Sequence, residues 1–299
     1  MLYDVTILTE PRYLNPEITS DYLANVMQED TLLKEALENS GLRVTRKCWD
    51  DPDFDWRETK YAIFRSTWDY FNRFPVFKVW LDKASEQTSL LNAKEIIYWN
   101  MDKHYLLDLE KKGINIPPTY FIETGSKLSL KEHLSTLSWD EFILKPAIAG
   151  TARHTYLFAK DEVKKHEAIY KELITKESML LQEYQKQITA KGEISLVLFG
   201  GKYSHAVLKR AKAGDFRVQD DFGGSVSDYT PNTDEIAFAE KALATCDPMK
   251  PIYARVDIFW DNQDQMCLAE LEMIEPELWF RRNKKAADIL AKTIINLIK

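Results

Sequence analysis

Three acidic side chains near the end of the chain have the spacing of a metal site on a β-hairpin. Residues 252–276 hold two runs of alternating residues separated by a turn-like stretch, and a hairpin there sets Asp257 opposite Glu270 and Arg255 opposite Glu272. Because alternate side chains of a strand share a face, the three carboxylates then form one surface. Oxygen ligands favour a hard cation such as Mg2+. A solvated surface hairpin is the alternative, and the hairpin alone leaves both interpretations open.

Further charges stand at predicted strand ends. Lys145 ends an apolar strand, and Gly150 and Thr151 follow in a small loop whose N–H and hydroxyl groups suit an anion. Lys103 lies in the first turn of a predicted helix, which is unfavourable for a cation. The other candidates are Glu183, Glu193, Lys209, Arg217 and Arg255. Lysines for phosphates, carboxylates for Mg2+ and a glycine-containing loop together indicate a nucleoside-triphosphate site that lacks a P-loop.

The first third of the chain alternates strands and helices. The predicted elements are strands at 3–9, 42–46 and 61–64 and helices at 19–40 and 75–87. This order is typical of a parallel α/β sheet. Ligands of such sheets gather at the carboxyl ends of the strands, so Arg65 and Asp69, which follow the third strand, are candidate substrate contacts. The alternative is that they pair with each other.

The rest of the chain has the pattern of antiparallel sheets. Strands are predicted at 119–122, within 141–159 as a pair, and at 179–183, 193–199 and 202–209. Gly200-Gly201 is a strong hairpin signal. Helices are predicted at 101–113 with Asn100 as N-cap, at 161–175, at 234–245 and from 282 onwards. Residues 210–224 combine glycines and charges and are predicted to form a mobile loop around Arg217.

Composition excludes several classes of protein. The 299 residues carry a net charge of −7 without a basic run, which argues against nucleic-acid binding. No apolar stretch has membrane-spanning length, the N-terminus is unlike a signal peptide, and the three cysteines are isolated, so we expect a cytoplasmic protein. The P-loop, H-E-x-x-H, G-x-S-x-G and G-x-G-x-x-G motifs are absent. A cysteine hydrolase is a weaker alternative, because sequence does not bring a cysteine and a histidine together.

Three motifs resemble those of the ATP-grasp superfamily, in particular its glutathione-synthetase-like group. They are RSTWDY, WNMDKHYLLDL with IPPT, and LAELEMIEP. Members include D-alanine–D-alanine ligases, bacterial glutathione synthetases, ribosomal-protein glutamate ligases and the cyclo-ligase of D-cycloserine biosynthesis. The resemblance implies an N-terminal parallel α/β domain at 1–92, a central part with a small lid at 93–185, and an antiparallel C-terminal domain with the metal site at 186–299.

The resemblance also implies a role for each candidate. Lys103 and Lys145 match lysines that contact ATP phosphates, the turn Gln182-Glu183-Tyr184 matches the adenine contact, and Glu193 matches the ribose contact. The positions that match phosphate, acyl-substrate or phosphoryl contacts are Lys209, Arg217 and Arg255, and the positions that match Mg2+ ligands are Asp257, Glu270 and Glu272. Many relatives have asparagine at the position of Glu272, and the loop AIAGTARH is poorer in glycine than usual.

The implied activity is ATP-dependent ligation of a small carboxylate to an amine-type nucleophile. An acylphosphate forms with the help of two Mg2+ ions, with Mn2+ as a substitute, and ADP and phosphate are released. No protein nucleophile is required, in agreement with the missing nucleophile motifs. The alternatives are a non-catalytic nucleotide-binding module and a small-molecule kinase on the same scaffold. Relatives commonly form dimers or tetramers, which makes a homodimer one expectation.

Overall fold

A computed structural model describes residues 1–218 and 223–298, and these residues form three β-sheets with helices packed around them. The first sheet is parallel and the other two are antiparallel. The mixed α/β architecture predicted from the sequence is therefore confirmed. None of the described helices has the length and apolar character that crossing a membrane requires.

The N-terminal sheet has the strand order β2-β1-β3-β4, with every pair parallel. Its strands are β1 (Tyr3–Thr9), β2 (Val44–Cys48), β3 (Thr59–Ser66) and β4 (Ser89–Leu91), and its helices are α1 (Pro11–Leu14), α2 (Asp21–Asn39) and α3 (Phe74–Ser85). The Ser20 side chain caps α2 by accepting from the amide of Leu23, and Gly41, with φ of +86°, follows its last turn. Strand β4 was missed, because three residues carry too little periodicity.

The central sheet has the strand order β5-β8-β6-β7 and is antiparallel throughout. Its strands are β5 (Thr119–Ile122), β6 (Glu141–Pro146), β7 (Tyr156–Ala159) and β8 (Met179–Glu183). The helices before and within it are α4 (Lys94–Asn100), α5 (Tyr105–Lys111), α6 (Leu130–Ser135) and α7 (Val163–Leu173). One prediction was wrong here. Asn100 ends α4 instead of capping a helix, and Lys103 lies in the turn between α4 and α5.

The C-terminal sheet has the strand order β11-β10-β9-β12-β13 and is also antiparallel. Its strands are β9 (Glu193–Phe199), β10 (Lys202–Arg210), β11 (Ser225–Tyr229), β12 (Tyr253–Trp260) and β13 (Met266–Glu272), with α8 (Gln187–Lys191) and α9 (Thr233–Ala244) beside it. Gly200 and Gly201 both have positive φ, which confirms the predicted tight hairpin turn. In the predicted loop 210–224, residues 219–222 lie outside the described residues.

The last helix, α10 (Lys285–Ile298), packs against the N-terminal layer. Its apolar face, with Leu290 and Ile294, shares a buried cluster with Val5 and Ile7 of β1 and Leu33 of α2. A second cluster lies on the opposite face of the C-terminal sheet, under α5 and α9. Because α10 packs on the N-terminal layer, the position of the C-terminal sheet against that layer is fixed by a common core.

Candidate active site

One cavity of about 300 Å³ is lined by residues of the central and C-terminal sheets and by residues of α2 and of the segment that follows β3. It collects every nucleotide, metal and catalytic candidate that the sequence indicated. These are Lys103, Lys145, Gly150, Thr151, Gln182, Glu183, Tyr184, Glu193, Lys209, Arg217, Arg255, Asp257, Glu270 and Glu272. Side chains far apart in sequence therefore share one site.

The hairpin of β12 and β13 has the predicted register. Arg255 lies opposite Glu272, and Asp257 lies opposite Glu270. On the other side of β12, Asp257 pairs with Ser195 of β9. The alternate residues of these strands pack in the apolar cluster behind the sheet, so the charged residues face the cavity. We call this surface the charged wall, and it consists of Glu193, Lys209, Arg255, Asp257, Glu270 and Glu272.

Buried ion pairs connect the charged wall. Arg255 donates from Nε to Asp257 Oδ1 at 3.0 Å and from Nη2 to Asp257 Oδ2 at 2.9 Å, and it also binds Glu272. Lys209 donates to Asp257 Oδ2 at 2.9 Å and binds Glu193. Burial opposes the charge on Asp257, but Arg255 and Lys209 outweigh it and hold the pKa of this carboxyl below its usual range. The wall is thus preorganised with fixed charges.

Two lysines lie close to each other opposite this wall. Lys103 donates from Nζ to Ala149 O at 2.7 Å and forms an ion pair with Glu270 at 3.0 Å. Lys145 forms no ion pair within the part of the chain that the structure describes. Burial and the nearby Lys103 charge lower the pKa of Lys145 to about 8. An anion placed between the lysines would relieve this cost, so the pair suits phosphate oxygens.

The loop after β6 is strained and packs against the N-terminal layer. Thr151, Ala152 and His154 all have positive φ, a conformation that costs a non-glycine residue about 1–2 kcal/mol. A Cβ atom on Gly150 would come within 2.5 Å of Phe71 Cε1. Only glycine therefore fits at position 150 unless Phe71 moves. The loop is held in one shape by contacts, although it has few glycines.

At the other end of the cavity, Gln182, Glu183 and Tyr184 lie where β8 ends. The Gln182 side chain donates to Thr119 Oγ1 at 2.9 Å, which fixes it against β5. Apolar residues line this end as well, including Ile143 of β6 and Phe259 of β12. Apolar side chains beside exposed strand ends provide a surface suited to a flat ring.

Arg217 lies in the loop after β10 and contributes to the same cavity. It donates from Nε to Asp215 Oδ1 at 3.0 Å and from Nη2 to Asp215 Oδ2 at 2.7 Å. The neighbouring Phe216 ring packs edge-on against Tyr184, with 6.4 Å between the ring centroids. The loop thereby brings its arginine toward the end of β8.

A second surface of the cavity comes from an irregular segment after β13. Residues 275–281 lie between β13 and α10, and Glu275, Glu277, Trp279 and Arg281 line the cavity. We call residues 275–281 the segment wall. Burial and the neighbouring carboxylates Glu272 and Glu270 raise the pKa of Glu275 to about 8.

The two candidate substrate contacts are placed differently from the expectation. Arg65 is 2% exposed, donates to Glu29 and to the carbonyl of Pro276, and does not line the cavity. Asp69 accepts from Trp49 Nε1 at 2.7 Å and pairs with Arg73 at 2.9 Å. Arg65 and Asp69 also do not pair with each other, so the local alternative was wrong as well. The end of β3 is covered by the segment wall, which the sequence did not reveal.

Several cavity residues were missed by the sequence reasoning. Ile143 and Phe259 stand two positions from Lys145 and Asp257 on their strands, so the period of the strand could have identified them. Trp68 and Tyr70 follow β3 in the RSTWDY motif, but neither was among the candidate contacts. The segment wall had no periodic signal that could have located it.

The carboxylates of the charged wall are paired with cationic side chains in this structure. In residues 1–218 and 223–298, no three acidic, histidine or cysteine side chains are grouped so that they could hold a metal ion. Asp257, Glu270 and Glu272 are each ion-paired with a lysine or arginine instead. The donor chemistry still fits a hard cation. Burial and the neighbouring Glu270 and Asp257 carboxylates raise the pKa of Glu272 to about 7 against the attraction of Arg255, so added positive charge would be stabilised.

Comparison with known proteins is consistent with this geometry. The sequence profile of the RimK-like ATP-grasp domain matches residues 102–298, more than half of the chain. The chain belongs to the RimK-like ATP-grasp family. Residues 5–92 match the N-terminal domain of D-cycloserine synthetase DcsG. The predicted superfamily is therefore confirmed.

Individual relatives of this ATP-grasp protein cover nearly its whole length. The cycloserine biosynthesis protein DcsG of Streptomyces lavendulae is 25% identical in an alignment 286 residues long that covers 89% of this chain and 93% of that protein. The crystal structure of D-cycloserine synthetase DcsG aligns with a TM-score of 0.85 at 24% identity over 99% of each chain. The ATP complex of Bacillus anthracis D-alanine–D-alanine ligase aligns with a TM-score of 0.66 at 16% identity, over 98% and 96% of the chains. Family membership supports ATP-dependent ligase activity.

Proposed function

We propose that the protein ligates a small carboxylate to an amine-type nucleophile through an acylphosphate and releases ADP and phosphate. One observation carries the proposal. A single cavity combines ion-paired carboxylates, a lysine without an ion-pair partner among the described residues, and a separate wall formed by residues 275–281. A nucleotide alone would not require that last wall. Two ligands side by side would use all three features.

The nucleotide would lie between the central and C-terminal sheets. Lys103 and Lys145 would bind its phosphates, together with N–H groups of Gly150 and Thr151 in the strained loop. Gln182, Glu183 and Tyr184 would contact the adenine. Glu193, next to Lys209, would accept from the ribose hydroxyls. Support for these roles comes from the position of all these residues on one cavity and from the resemblance of their motifs.

The carboxylates of the charged wall would hold Mg2+, with Mn2+ as a substitute. Asp257, Glu270 and Glu272 are the proposed ligands, and two ions are proposed. When bound, Mg2+ neutralises negative charge on the phosphate oxygens. To ligate a metal, the carboxylates would exchange their present partners, which are Arg255 and Lys209 at Asp257, Lys103 at Glu270 and Arg255 at Glu272. That exchange frees those cations for the phosphates.

Catalysis would then rest on orientation and fixed charge. Arg255 and Lys209 lie in the buried part of the wall, where a cation stabilises a developing negative charge more strongly than in water. Arg217, carried by the loop after β10, would contact the phosphates or the acyl group. Holding carboxylate and nucleophile side by side lowers the barrier by about 7–11 kcal/mol in favourable cases. A covalent protein nucleophile is not needed.

The carboxylate and its nucleophile would bind at the segment wall. Trp68 Nε1 donates to Glu275 O at 2.9 Å, and Trp68 and Tyr70 line the same cavity, so aromatic side chains border this wall. The relatives named above are a D-cycloserine synthetase and a D-alanine–D-alanine ligase, so small D-amino acids and their derivatives are the first compounds to test. The substrate would be small, because the cavity must also accept the nucleotide.

Product analysis tests the proposal. The protein is incubated with MgATP and pairs of small carboxylates and amines, D-alanine among them, and nucleotides and phosphate are quantified. ADP and phosphate in equal amounts, together with a new amide, are expected. AMP as product would contradict the proposal, and a stable phosphorylated compound would indicate a kinase. Nucleotide binding with no turnover for any pair would indicate a binding module.

A further inference from the structure

The segment wall presents side chains to the cavity without belonging to a described strand. Glu275, Glu277, Trp279 and Arg281 line the cavity. Leu278 and Phe280 are fully buried in the cluster shared with β1, α2 and α10, and Trp279 belongs to this cluster as well. Residues 275–281 pair with no described strand, so contacts other than a sheet ladder hold their backbone.

Side chains from the N-terminal layer bind the backbone of this segment. Glu29 of α2 accepts from the amide of Leu278 at 2.6 Å through Oε1 and from the amide of Phe280 at 3.3 Å through Oε2. Arg65 of β3 donates from Nη2 to Glu29 Oε1 at 2.5 Å and to Pro276 O at 2.7 Å. These bonds replace the ladder that a neighbouring strand would supply.

Two further side chains complete the support. Trp68 Nε1 donates to Glu275 O at 2.9 Å, and His205 Nε2 donates to Leu278 O at 2.8 Å. Glu29 nevertheless has the central place, because its single carboxylate holds two amides and the guanidinium of Arg65. It is 5% exposed, and a buried carboxylate that lost its charge would leave these donors without a full partner.

We propose that Glu29 and Arg65 are positioning residues that shape the wall for the non-nucleotide substrate, a role that rests on the proposed function. Neither side chain lines the cavity. They act through the backbone of residues 276–280, because the position of that backbone determines which side chains reach the substrate. The nucleotide end of the cavity, at Lys145 and Gln182, has no bond to this pair. Glu29 and Arg65 therefore affect recognition of the carboxylate substrate and leave nucleotide binding unchanged.

Glu29→Gln tests the proposal with little change of shape. The amide retains one acceptor oxygen but loses the charge, so at least one of the two segment amides loses its acceptor and Arg65 loses its anionic partner. We expect the KM for the carboxylate substrate found in the product screen to rise about tenfold or more, with a smaller change in kcat. The affinity for the ATP analogue AMP-PNP is expected to stay within about twofold. Amide hydrogen exchange at residues 278 and 280 is expected to accelerate.

Glu35→Gln is the matched control, since it makes the same change at an exposed position of α2. If Glu29→Gln fails to fold, Arg65→Lys is used, because it keeps the charge but cannot reproduce the guanidinium geometry. Unchanged exchange and unchanged KM would overturn the proposal, as would equal losses for AMP-PNP and the carboxylate. If the parent protein consumes no ATP with any carboxylate, the proposed function fails and this role falls with it. The exchange measurement then still shows whether Glu29 holds the segment.

Discussion

The charged wall and the segment wall face the same cavity but are built in opposite ways. In the charged wall, strand pairing satisfies the backbone, and side chains such as Arg255 and Asp257 bind one another. In the segment wall, the backbone itself is bound by distant side chains such as Glu29. Changes in the first should therefore act on charge and chemistry. Changes in the supports of the second should act on shape and substrate recognition.

The largest effect is expected from Arg255→Met in the charged wall. The change removes the shared partner of Asp257 and Glu272 and a cation near the proposed reacting phosphate. We expect kcat for ADP release to fall on the order of 10³-fold. Stability should also fall, by about 3–5 kcal/mol, because Glu272 loses its ion-pair partner and the buried Asp257 keeps only Lys209. Both are measured against Arg57→Met, which removes an exposed arginine. A folded variant with full activity would show that the wall does not act through this charge.

Lys145→Met, in the same cavity, is expected to weaken nucleotide binding without lowering the stability of the fold. Lys145 has no ion-pair partner among the described residues, and burial lowers its pKa to about 8. Its loss should weaken AMP-PNP binding by about 30-fold while thermal stability stays equal or rises. Calorimetry and thermal unfolding measure the two quantities, with the exposed Lys127→Met as control. Unfolding at lower temperature with unchanged nucleotide affinity would assign Lys145 a structural role.

A moderate effect is expected at Gly150, where the phosphate loop meets the N-terminal layer. The new Cβ of Gly150→Ala would come within 2.5 Å of Phe71 Cε1, so the loop or the ring must shift. We expect the KM for ATP to rise about tenfold. The double variant Gly150→Ala with Phe71→Leu should recover most of that loss, because the smaller side chain leaves room. No recovery would mean that the loop conformation, and not the contact with Phe71, is responsible.

The smallest effect concerns pH and the segment wall. Burial and nearby carboxylates raise the pKa of Glu275 from 4.5 to about 8 in the folded chain. The folded state therefore holds this proton longer than the unfolded state, and stability falls as pH rises between those values. In magnesium-free buffer, Glu275→Gln should raise the melting temperature by roughly 2–6 °C above pH 8 and bring no gain near pH 4.5. An equal gain at both pH values would refute the electrostatic cause.

The same contrast explains what the sequence could predict. The hairpin register that sets Asp257 opposite Glu270 follows from a period of two and a turn, both of which are local patterns. When such strands pair, the charged side chains on one face of the sheet lie next to one another and can line a common cavity. The other strands except β4 and β11 were predictable for the same reason, because each has its own periodicity or order along the chain.

The segment wall was not predictable, because its supports are distant in sequence. Glu29 and Leu278 are separated by 249 residues, and no local pattern marks either residue as a partner of the other. Arg65 was recognised as a polar residue at a strand end, but only the fold shows that it reaches the backbone instead of a ligand. The turn at Lys103 was missed because asparagine is a common N-cap residue, which favoured a helix that begins after Asn100 over one that ends there.

Transfer of labelled oxygen tests the central claim most directly. A carboxylate substrate with heavy oxygen in both carboxyl positions is incubated with the protein, MgATP and the nucleophile, and the released phosphate is examined by mass spectrometry. An acylphosphate intermediate predicts that each phosphate carries one labelled oxygen and that ADP forms in equal amount. Unlabelled phosphate, or transfer of the labelled oxygen to AMP, would contradict the proposed acylphosphate intermediate.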